Sequence, residues 1–238
     1  MSDNNEHIMA AFDRDLDGIE ALVVKMGGLV EVAIHDAAKA VATRDLELAE
    51  QVRTGDKAID ALEIQINEET ARTLALRAPM SSDLRTLLTV LKIAAGLERA
   101  GDYARNLAKR TEALAALEPI SGTDRTLRRM TAEVQQMLRN TLDAFVRRDI
   151  ALAEQVRQHD EEVDEIYNAL FREFLTFMME DPRNITACMH LHFIAKNVER
   201  MGDLTTNMAE QIIYMVSGEL PGDLRPKGDQ TAFMTGQD

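Results

Sequence analysis

Apolar and polar residues alternate with the period of an α-helix along most of the chain. Apolar positions recur three or four residues apart, as in Ile59, Leu62 and Ile66, and this spacing builds one face of a helix. Glycine, proline and short polar residues interrupt the pattern near residues 44–45, 78–83, 118–124, 148–149, 180–182 and 217–221. Six long helices are predicted between these breaks, and the fold class is all-α.

Side-chain caps are expected at two of the helix starts. Ser81, Ser82 or Asp83 is placed to cap the third helix, and Thr123 or Asp124 the fourth. A short side chain with an oxygen can accept a hydrogen bond from the free amides of the first helical turn.

The second half of the chain repeats the first. Residues 44–53 recur as 148–157, and residues 97–108 recur as 198–209. Two copies are too few for a solenoid, so two tandem three-helix bundles are predicted, one over residues 1–118 and one over 119–218. Residues 219–238 lack apolar periodicity and are predicted to form a disordered tail.

Four pairs of acidic residues have the spacing i, i+4, which places both carboxylates on one helix face. The pairs are Asp56/Asp60, Glu98/Asp102, Asp160/Asp164 and Glu199/Asp203. Chance alone should give roughly seven such pairs in so acidic a chain, and a solvated helix face is the simplest explanation of any one of them. The duplication, however, keeps all four in register, and this favours a shared role.

These acids lie beside the apolar stripe of their helices. Within each copy, two neighbouring antiparallel helices could turn their acidic flanks either into a shared groove or away from it. If the flanks converge, the carboxylates raise one another's pKa values unless a cation neutralises them, and all-oxygen ligation selects Mg²⁺, Mn²⁺, Ca²⁺ or Fe. Glu63, Asn106 and Asn207 are weaker candidate ligands, and the two asparagines could equally cap a surface turn. Gly101 and Gly202 fit either close helix packing or clearance for an ion.

Composition excludes several classes of protein. There are 41 acidic against 27 basic residues, a net charge of -14, which argues against nucleic-acid binding. The lone Cys188 excludes a disulfide framework and any cysteine-rich metal site. No secretory signal or long apolar run is evident, so we expect a cytoplasmic protein. Histidines are not duplicated and Glu-x-x-His is absent, which leaves a metal-dependent hydrolase or oxidase as the weakest hypothesis. No catalytic residue is predicted.

The repeated motifs resemble the PhoU family of phosphate-uptake regulators. The resemblance covers residues 10–218 and rests on residues 98–106 with their copy at 199–207, on both Asp-x-x-x-Asp pairs, and on the turn at 79–85. It implies one multinuclear metal cluster per bundle, with Fe, Mn or Mg bound by the eight paired acids, and a homodimer. It also implies a non-enzymatic regulator that represses the phosphate regulon in high phosphate. Such proteins act as adaptors between the ATPase subunit of the phosphate ABC transporter and the phosphate-sensing histidine kinase, and reach the membrane only through these partners.

The two copies differ around their acidic pairs. Glu63 of the first copy corresponds to Tyr167, and the helix line that leads to Glu199 is more polar than its counterpart. We therefore expect the second site to be more open or of different stoichiometry. The alternative to a metal-binding regulator is a metal-independent helical-bundle interaction protein.

Overall fold

The structure is a computed structural model that describes the backbone of residues 2–222 and the side chains of residues 11–222. It contains six long helices: α1 (Ser2–Thr43), α2 (Leu46–Arg77), α3 (Ser82–Ala115), α4 (Thr123–Arg147), α5 (Ile150–Glu180) and α6 (Ile185–Ser217). A 3₁₀ turn, Pro182–Asn184, precedes α6, and the described residues contain no strand. The prediction of an all-α fold with six helices is confirmed.

Each copy of the repeat begins its second helix with the same local structure. Arg44 and Arg148 have left-handed backbone conformations, with φ of 56° and 54°. The next residue caps the helix, since Asp45 Oδ1 accepts from Leu48 N at 2.9 Å and Asp149 Oδ1 accepts from Leu152 N at 3.0 Å. The duplicated Arg-Asp pair therefore ends one helix and starts the next.

The predicted cap position is confirmed for α3 and wrong for α4, and neither helix has the expected side-chain cap hydrogen bond. Ser81 occupies the N-cap position of α3 without a side-chain cap hydrogen bond, and Gly122 occupies that of α4. Thr123 Oγ1 instead donates to the carbonyl of Ile120 at 3.0 Å. Thr123 is the first residue of α4, so it follows the cap position, and its hydroxyl contacts the preceding connection.

The helices pack as two three-helix bundles joined side by side. Helices α1, α2 and α3 contact one another, as do α4, α5 and α6, and the bundles meet where α3 packs on α6 and α1 packs on α4. Buried apolar residues from all six helices form one core cluster. The division at residue 118 lies in the connection between α3 and α4, and as a domain boundary it stays a prediction.

Two further expectations concern the chain as a whole. Among the residues that the structure describes, no helix is long and apolar enough to cross a membrane. The predicted disordered tail falls mostly on residues 223–238, which lie outside the described residues.

Candidate metal sites

The first acidic cluster consists of Asp56 and Asp60 on α2 and Glu98 and Asp102 on α3. The two helices approach closely here, because a Cβ atom built on Gly101 would lie 3.5 Å from Asp56 Oδ1. Asp56 is buried and the other three side chains are half-buried. The acidic flanks therefore turn into a shared groove, which is the convergent one of the two predicted arrangements.

The carboxylates of the first cluster repel one another. Burial raises the pKa of Asp56, Arg105 partly offsets this, and the charges of Asp60 and Asp102 raise it further. Burial also raises the pKa of Glu98, and the largest charge contributions come from Asp102 and Glu63. Glu63, a weaker sequence candidate, is thus close enough to act on the cluster. Convergent acids that disfavour one another's charge are the setting in which a cation is stabilising.

One basic side chain already lies in the first cluster. The Arg105 guanidinium forms an ion pair with the buried carboxylate of Asp56 and a second, at 2.6 Å, with Asp102. It supplies one positive charge against the four acids of the cluster and Glu63. Sequence reasoning missed this residue, because its partner Asp56 is 49 positions away in the chain.

The second acidic cluster consists of Asp160 and Asp164 on α5 and Glu199 and Asp203 on α6. A Cβ atom built on Gly202 would lie 3.3 Å from Asp160 Oδ1, which repeats the arrangement at Gly101. Asp160, Asp164 and Glu199 are each 5% exposed or less. The expectation of a more open second site is wrong, since three of its acids are buried whereas only Asp56 is buried in the first. Tyr167 stands where the first copy has Glu63, and its ring is buried as well. The stoichiometry stays a prediction.

Glu199 is the acid whose charge is most disfavoured. Burial raises its pKa to about 7, the ion pair with Lys196 opposes the shift, and Asp203 and Asp164 add to it. Lys196 Nζ lies 2.9 Å from Glu199 Oε1. The other oxygen, Oε2, is buried and has no hydrogen-bond partner among the described residues. A buried carboxylate oxygen without a donor costs free energy, and a cation beside it would remove that cost.

The internal cations of the two clusters come from different positions of the repeat. Arg105 corresponds to Thr206 in the second copy, and Lys196 corresponds to Ala95 in the first. Each cluster is therefore partly neutralised by a basic residue that has no counterpart in the other copy. The duplication preserved the acids, while Arg105 and Lys196 each occur in one copy alone.

The two asparagines that were weaker candidate ligands differ in their exposure. Asn106 is half-buried, and Asn207 is exposed in a cleft that Asp203 also lines. His192, a histidine near the second cluster that was not a predicted ligand, packs among aromatic rings, with ring centroids 6.0 Å from Tyr167 and 5.4 Å from Phe171. Its imidazole is therefore part of an aromatic layer beside the second cluster.

One further group of possible ligands was not predicted. Among the described residues, Glu133, His159 and Glu162 bring one ligand atom each within 4.8 Å of one another. His159 Nε2 lies 2.9 Å from Glu133 Oε2, and Glu162 is exposed. The i, i+3 spacing of His159 and Glu162 was visible in the sequence, but Glu133 comes from another helix. A hydrogen bond between His159 and Glu133 on a partly exposed surface accounts for this group.

A protein-family model matches both copies of the repeat. The model described as "PhoU domain" matches the chain twice, over residues 23–111 and 127–212. The chain belongs to the PhoU family. The two matches contain both acidic pairs of each copy, so the duplication found in the sequence corresponds to two PhoU domains.

Curated PhoU relatives cover nearly the whole chain. A protein of Rhizobium meliloti (strain 1021) is 45% identical over 235 residues, which is 97% of this chain and 98% of the relative. A protein of Caulobacter vibrioides (strain NA1000 / CB15N) is 45% identical over 224 residues, which is 94% of this chain and 97% of the relative. Both are described as "Phosphate-specific transport system accessory protein PhoU homolog".

Two crystal structures of PhoU proteins have the same fold. PhoU from Pseudomonas aeruginosa matches with a TM-score of 0.84 and 39% identity, covering 87% of this chain and all of that one. The phosphate transport system regulatory protein PhoU from Streptococcus pneumoniae matches with a TM-score of 0.83 and 31% identity, covering 90% of this chain and all of that one.

The metal clusters that the PhoU resemblance implies are compatible with the residues present. Both acidic clusters offer carboxylate oxygens from two facing helices, the donor type that hard cations prefer. The unpartnered oxygen of Glu199 and the raised pKa values of Asp56 and Glu98 indicate that positive charge is in deficit at both places. The fit supports a metal proposal and leaves the identity of the ion open.

Proposed function

We propose that this protein is a cytoplasmic, non-enzymatic regulator of phosphate uptake and signalling that binds metal at its two acidic clusters. In this role it connects the ATPase subunit of the phosphate ABC transporter with a phosphate-sensing histidine kinase and represses the phosphate regulon when phosphate is abundant. The names of its curated relatives, accessory proteins of the phosphate-specific transport system, support the transport connection. The adaptor role, the partners and a homodimeric state are parts of the proposal.

One observation carries the metal half of the proposal. The two clusters keep the same four acids on the same two helices of each bundle, with a glycine where the helices approach. Burying like charges together costs free energy unless a cation compensates, and in the first cluster Arg105 supplies only one positive charge against four acids. Fe, Mn or Mg, in one or more ions per cluster, would supply the rest through the eight carboxylates.

The metal content of the purified protein tests the metal-binding part of the proposal. The full-length protein is purified without chelator, and its metal is quantified by elemental analysis beside the double variant Asp102→Asn plus Asp203→Asn. The expected result is bound metal in the wild type and a clear loss in the variant. A control variant, Asp13→Asn plus Asp143→Asn, removes two exposed acids from α1 and α4 and should retain the metal. Equal, negligible metal in all three proteins would refute metal binding.

Gene deletion tests the regulatory half. A strain without the gene should express a phosphate-regulon reporter in high phosphate, and the wild-type gene should restore repression. Cross-linking in the same strain should capture the transporter ATPase and the histidine kinase. Unchanged reporter expression after deletion would refute the regulatory role whatever the metal content.

A second candidate is a metal-independent helical-bundle interaction protein. The internal ion pairs of Arg105 with Asp56 and Asp102, and of Lys196 with Glu199, favour it because they neutralise part of each cluster without any ion. In this case Asp102→Asn plus Asp203→Asn would not lower the melting temperature in metal-containing buffer. A drop that occurs with metal and vanishes with chelator would decide against it.

A further inference from the structure

Two arginines of the duplicated motif face the same cleft. Arg99 and Arg200 are the same position of the repeat, the residue that follows Glu98 and Glu199. Helices α3 and α6 pack antiparallel, since Lys92 Nζ contacts Gln211 Oε1 at 2.8 Å and Arg110 lies 3.3 Å from the imidazole of His190. Helices α3 and α6 are equivalent elements of the repeat, so their antiparallel packing relates them by a pseudo-twofold axis. Arg99 and Arg200 lie on either side of this axis.

The cleft between these helices is large enough for a small molecule. Its volume is about 630 Å³, and its polar lining consists of Arg99, Tyr103, Arg200, Asp203, Asn207 and Glu210. A neighbouring hollow of about 370 Å³ shares Arg99 and Asn207 and extends along the helices to Lys92. Small-molecule sites in proteins occupy roughly 300–1,000 Å³.

The two arginines of the cleft have no direct ionic partner among the described residues, although two acids, Asp203 and Glu210, also line it. Within the described part of the chain, neither Arg99 nor Arg200 has an ion pair or a hydrogen bond. Of the two acids in the lining, Glu210 lies 3.4 Å from Arg157 Nε, and this arginine also pairs with Glu154 at 2.8 Å. Asp203 is the other, and it belongs to the second acidic cluster. Two guanidinium groups thus share an open cleft in a chain whose net charge is -14.

We propose that this cleft binds the phosphate group of a small molecule between the guanidinium groups of Arg99 and Arg200. A guanidinium offers a planar pair of N–H donors that matches two oxygens of a phosphate, and two such groups can grip one dianion from both sides. Asn207 adds an amide donor. This site goes beyond the proposed function, and its ligands are not the carboxylates of the acidic clusters.

Two sources could supply the phosphate group. Inorganic phosphate would fill only a small part of the cleft. A nucleotide would use more of it and would reach the Tyr103 ring, which also lines the cleft and has the Arg200 guanidinium over it, 6.0 Å from the ring centroid. Tyr103 corresponds to Leu204 in the other copy, so Tyr103→Leu removes the ring and keeps an apolar side chain of the repeat.

Titration calorimetry of the full-length protein tests the proposal, with inorganic phosphate and AMP as separate probes and EDTA present throughout. At least one probe should bind, and Arg99→Gln and Arg200→Gln should each weaken it about tenfold or more. Arg200→Lys should restore part of the affinity, because it keeps the charge without the paired donors. Arg129→Gln, an exposed arginine on α4, is the matched control and should leave binding unchanged. Loss of AMP binding in Tyr103→Leu, with phosphate unaffected, would assign the site to a nucleotide.

Several outcomes would overturn the proposal. Absence of binding by both probes in the millimolar range would do so, as would equal affinity in the wild type and both glutamine variants. Binding that appears only when EDTA is omitted would assign the anion to a metal ion. Binding of polyglutamate in the same calorimetry, when neither phosphate nor AMP binds, would make the cleft a docking site for an acidic protein segment. Each variant is first compared with the wild type by thermal melting, so that unfolding is not read as lost binding.

Discussion

Individual basic residues make the two acidic clusters of this PhoU protein chemically different. Arg105 lies between Asp56 and Asp102 in the first cluster, while Lys196 pairs with Glu199 at the second. A guanidinium on the ligand oxygens must move before a metal ion can take its place. If the clusters bind metal as proposed, the affinity should therefore depend on Arg105 in the first bundle and on Lys196 in the second.

Replacing Arg105 by the residue of the other copy tests this dependence. Arg105→Thr should destabilise the protein in chelator by about 1–3 kcal/mol, because the buried Asp56 loses its charged partner. The rise in melting temperature on adding Mn²⁺ should be larger than in the wild type, since the ion no longer competes with a guanidinium. Thermal melts with EDTA and with Mn²⁺ measure both effects. The control is Arg53→Thr, which removes an exposed arginine that pairs with Glu50. An unchanged Mn²⁺ response in Arg105→Thr would contradict competition between the guanidinium and the ion.

Glu199 should make the metal-free protein less stable as the pH rises. Its pKa is raised from 4.5 to about 7 in the folded state, so between these values the folded protein retains a proton that the unfolded chain releases. The free energy of unfolding therefore falls across this window, by up to about 3 kcal/mol, and the residue has no effect below it. Glu199→Gln should flatten the dependence and raise stability above pH 7, as measured by chemical denaturation in EDTA.

When metal is present, Glu199→Gln should lower the stability of the protein relative to the wild type instead of raising it. Glutamine cannot supply a negative ligand, so Glu199→Gln should reduce the stabilisation that Mn²⁺ gives. Glu161→Gln changes an exposed acid on α5 and should alter neither property. If the pH profiles of Glu199→Gln and the wild type coincide in EDTA, the burial argument for this carboxylate is wrong.

At the scale of elements, the contact between α1 and α4 depends on one glycine. A Cβ atom on Gly27 would lie 2.5 Å from Leu142 Cδ1, whereas one on Gly28 would meet nothing within 4 Å. Gly27→Ala should lower stability by about 1–3 kcal/mol through overpacking. Gly28→Ala should raise it by up to about 1 kcal/mol, because alanine favours the helix. Denaturant titration of both variants measures the difference, and equal effects would contradict the close approach of α1 and α4.

The elements themselves were predictable from the sequence, and the reason is local. Each helix has an apolar period and a recognisable break, so all six were found, and the duplicated Arg-Asp pairs do cap α2 and α5. Thr123 was misassigned because a hydroxyl can either accept from the first turn or donate to a nearby carbonyl. Sequence spacing does not distinguish these two hydrogen bonds.

The candidate sites were predictable only in part. The eight acids followed from register within the repeat, and their convergence was one of two arrangements that the pattern allowed. Arg105 with Asp56, and the depth at which Asp160 and Asp164 are buried, depend on how helices distant in sequence meet. Those contacts are set by packing across the bundle, which a pattern along one helix does not contain.

At the scale of the whole molecule, the two PhoU domains share one hydrophobic core. The joint between them is tight, since a Cβ atom on Gly96 of α3 would lie 2.9 Å from Met208 Cγ of α6. Leu107 and Ile194 line an apolar hollow at the same joint together with residues of α1 and α4. Separating the halves would expose these surfaces to water, so neither half should be as stable alone as it is in the chain.

Cutting the chain between the domains tests this coupling. The intact protein should unfold in one transition, and fragments 1–118 and 119–238 should associate one-to-one when expressed together, because their apolar faces are complementary. Expressed separately, each should aggregate or melt at a lower temperature. A control pair cut inside α3, after Ala95, breaks a helix that both bundles need and should reassociate more weakly. Size-exclusion chromatography and thermal melts measure the outcome. Two soluble, independently stable fragments with no affinity for each other would show that residue 118 is a true domain boundary and that the shared core contributes little.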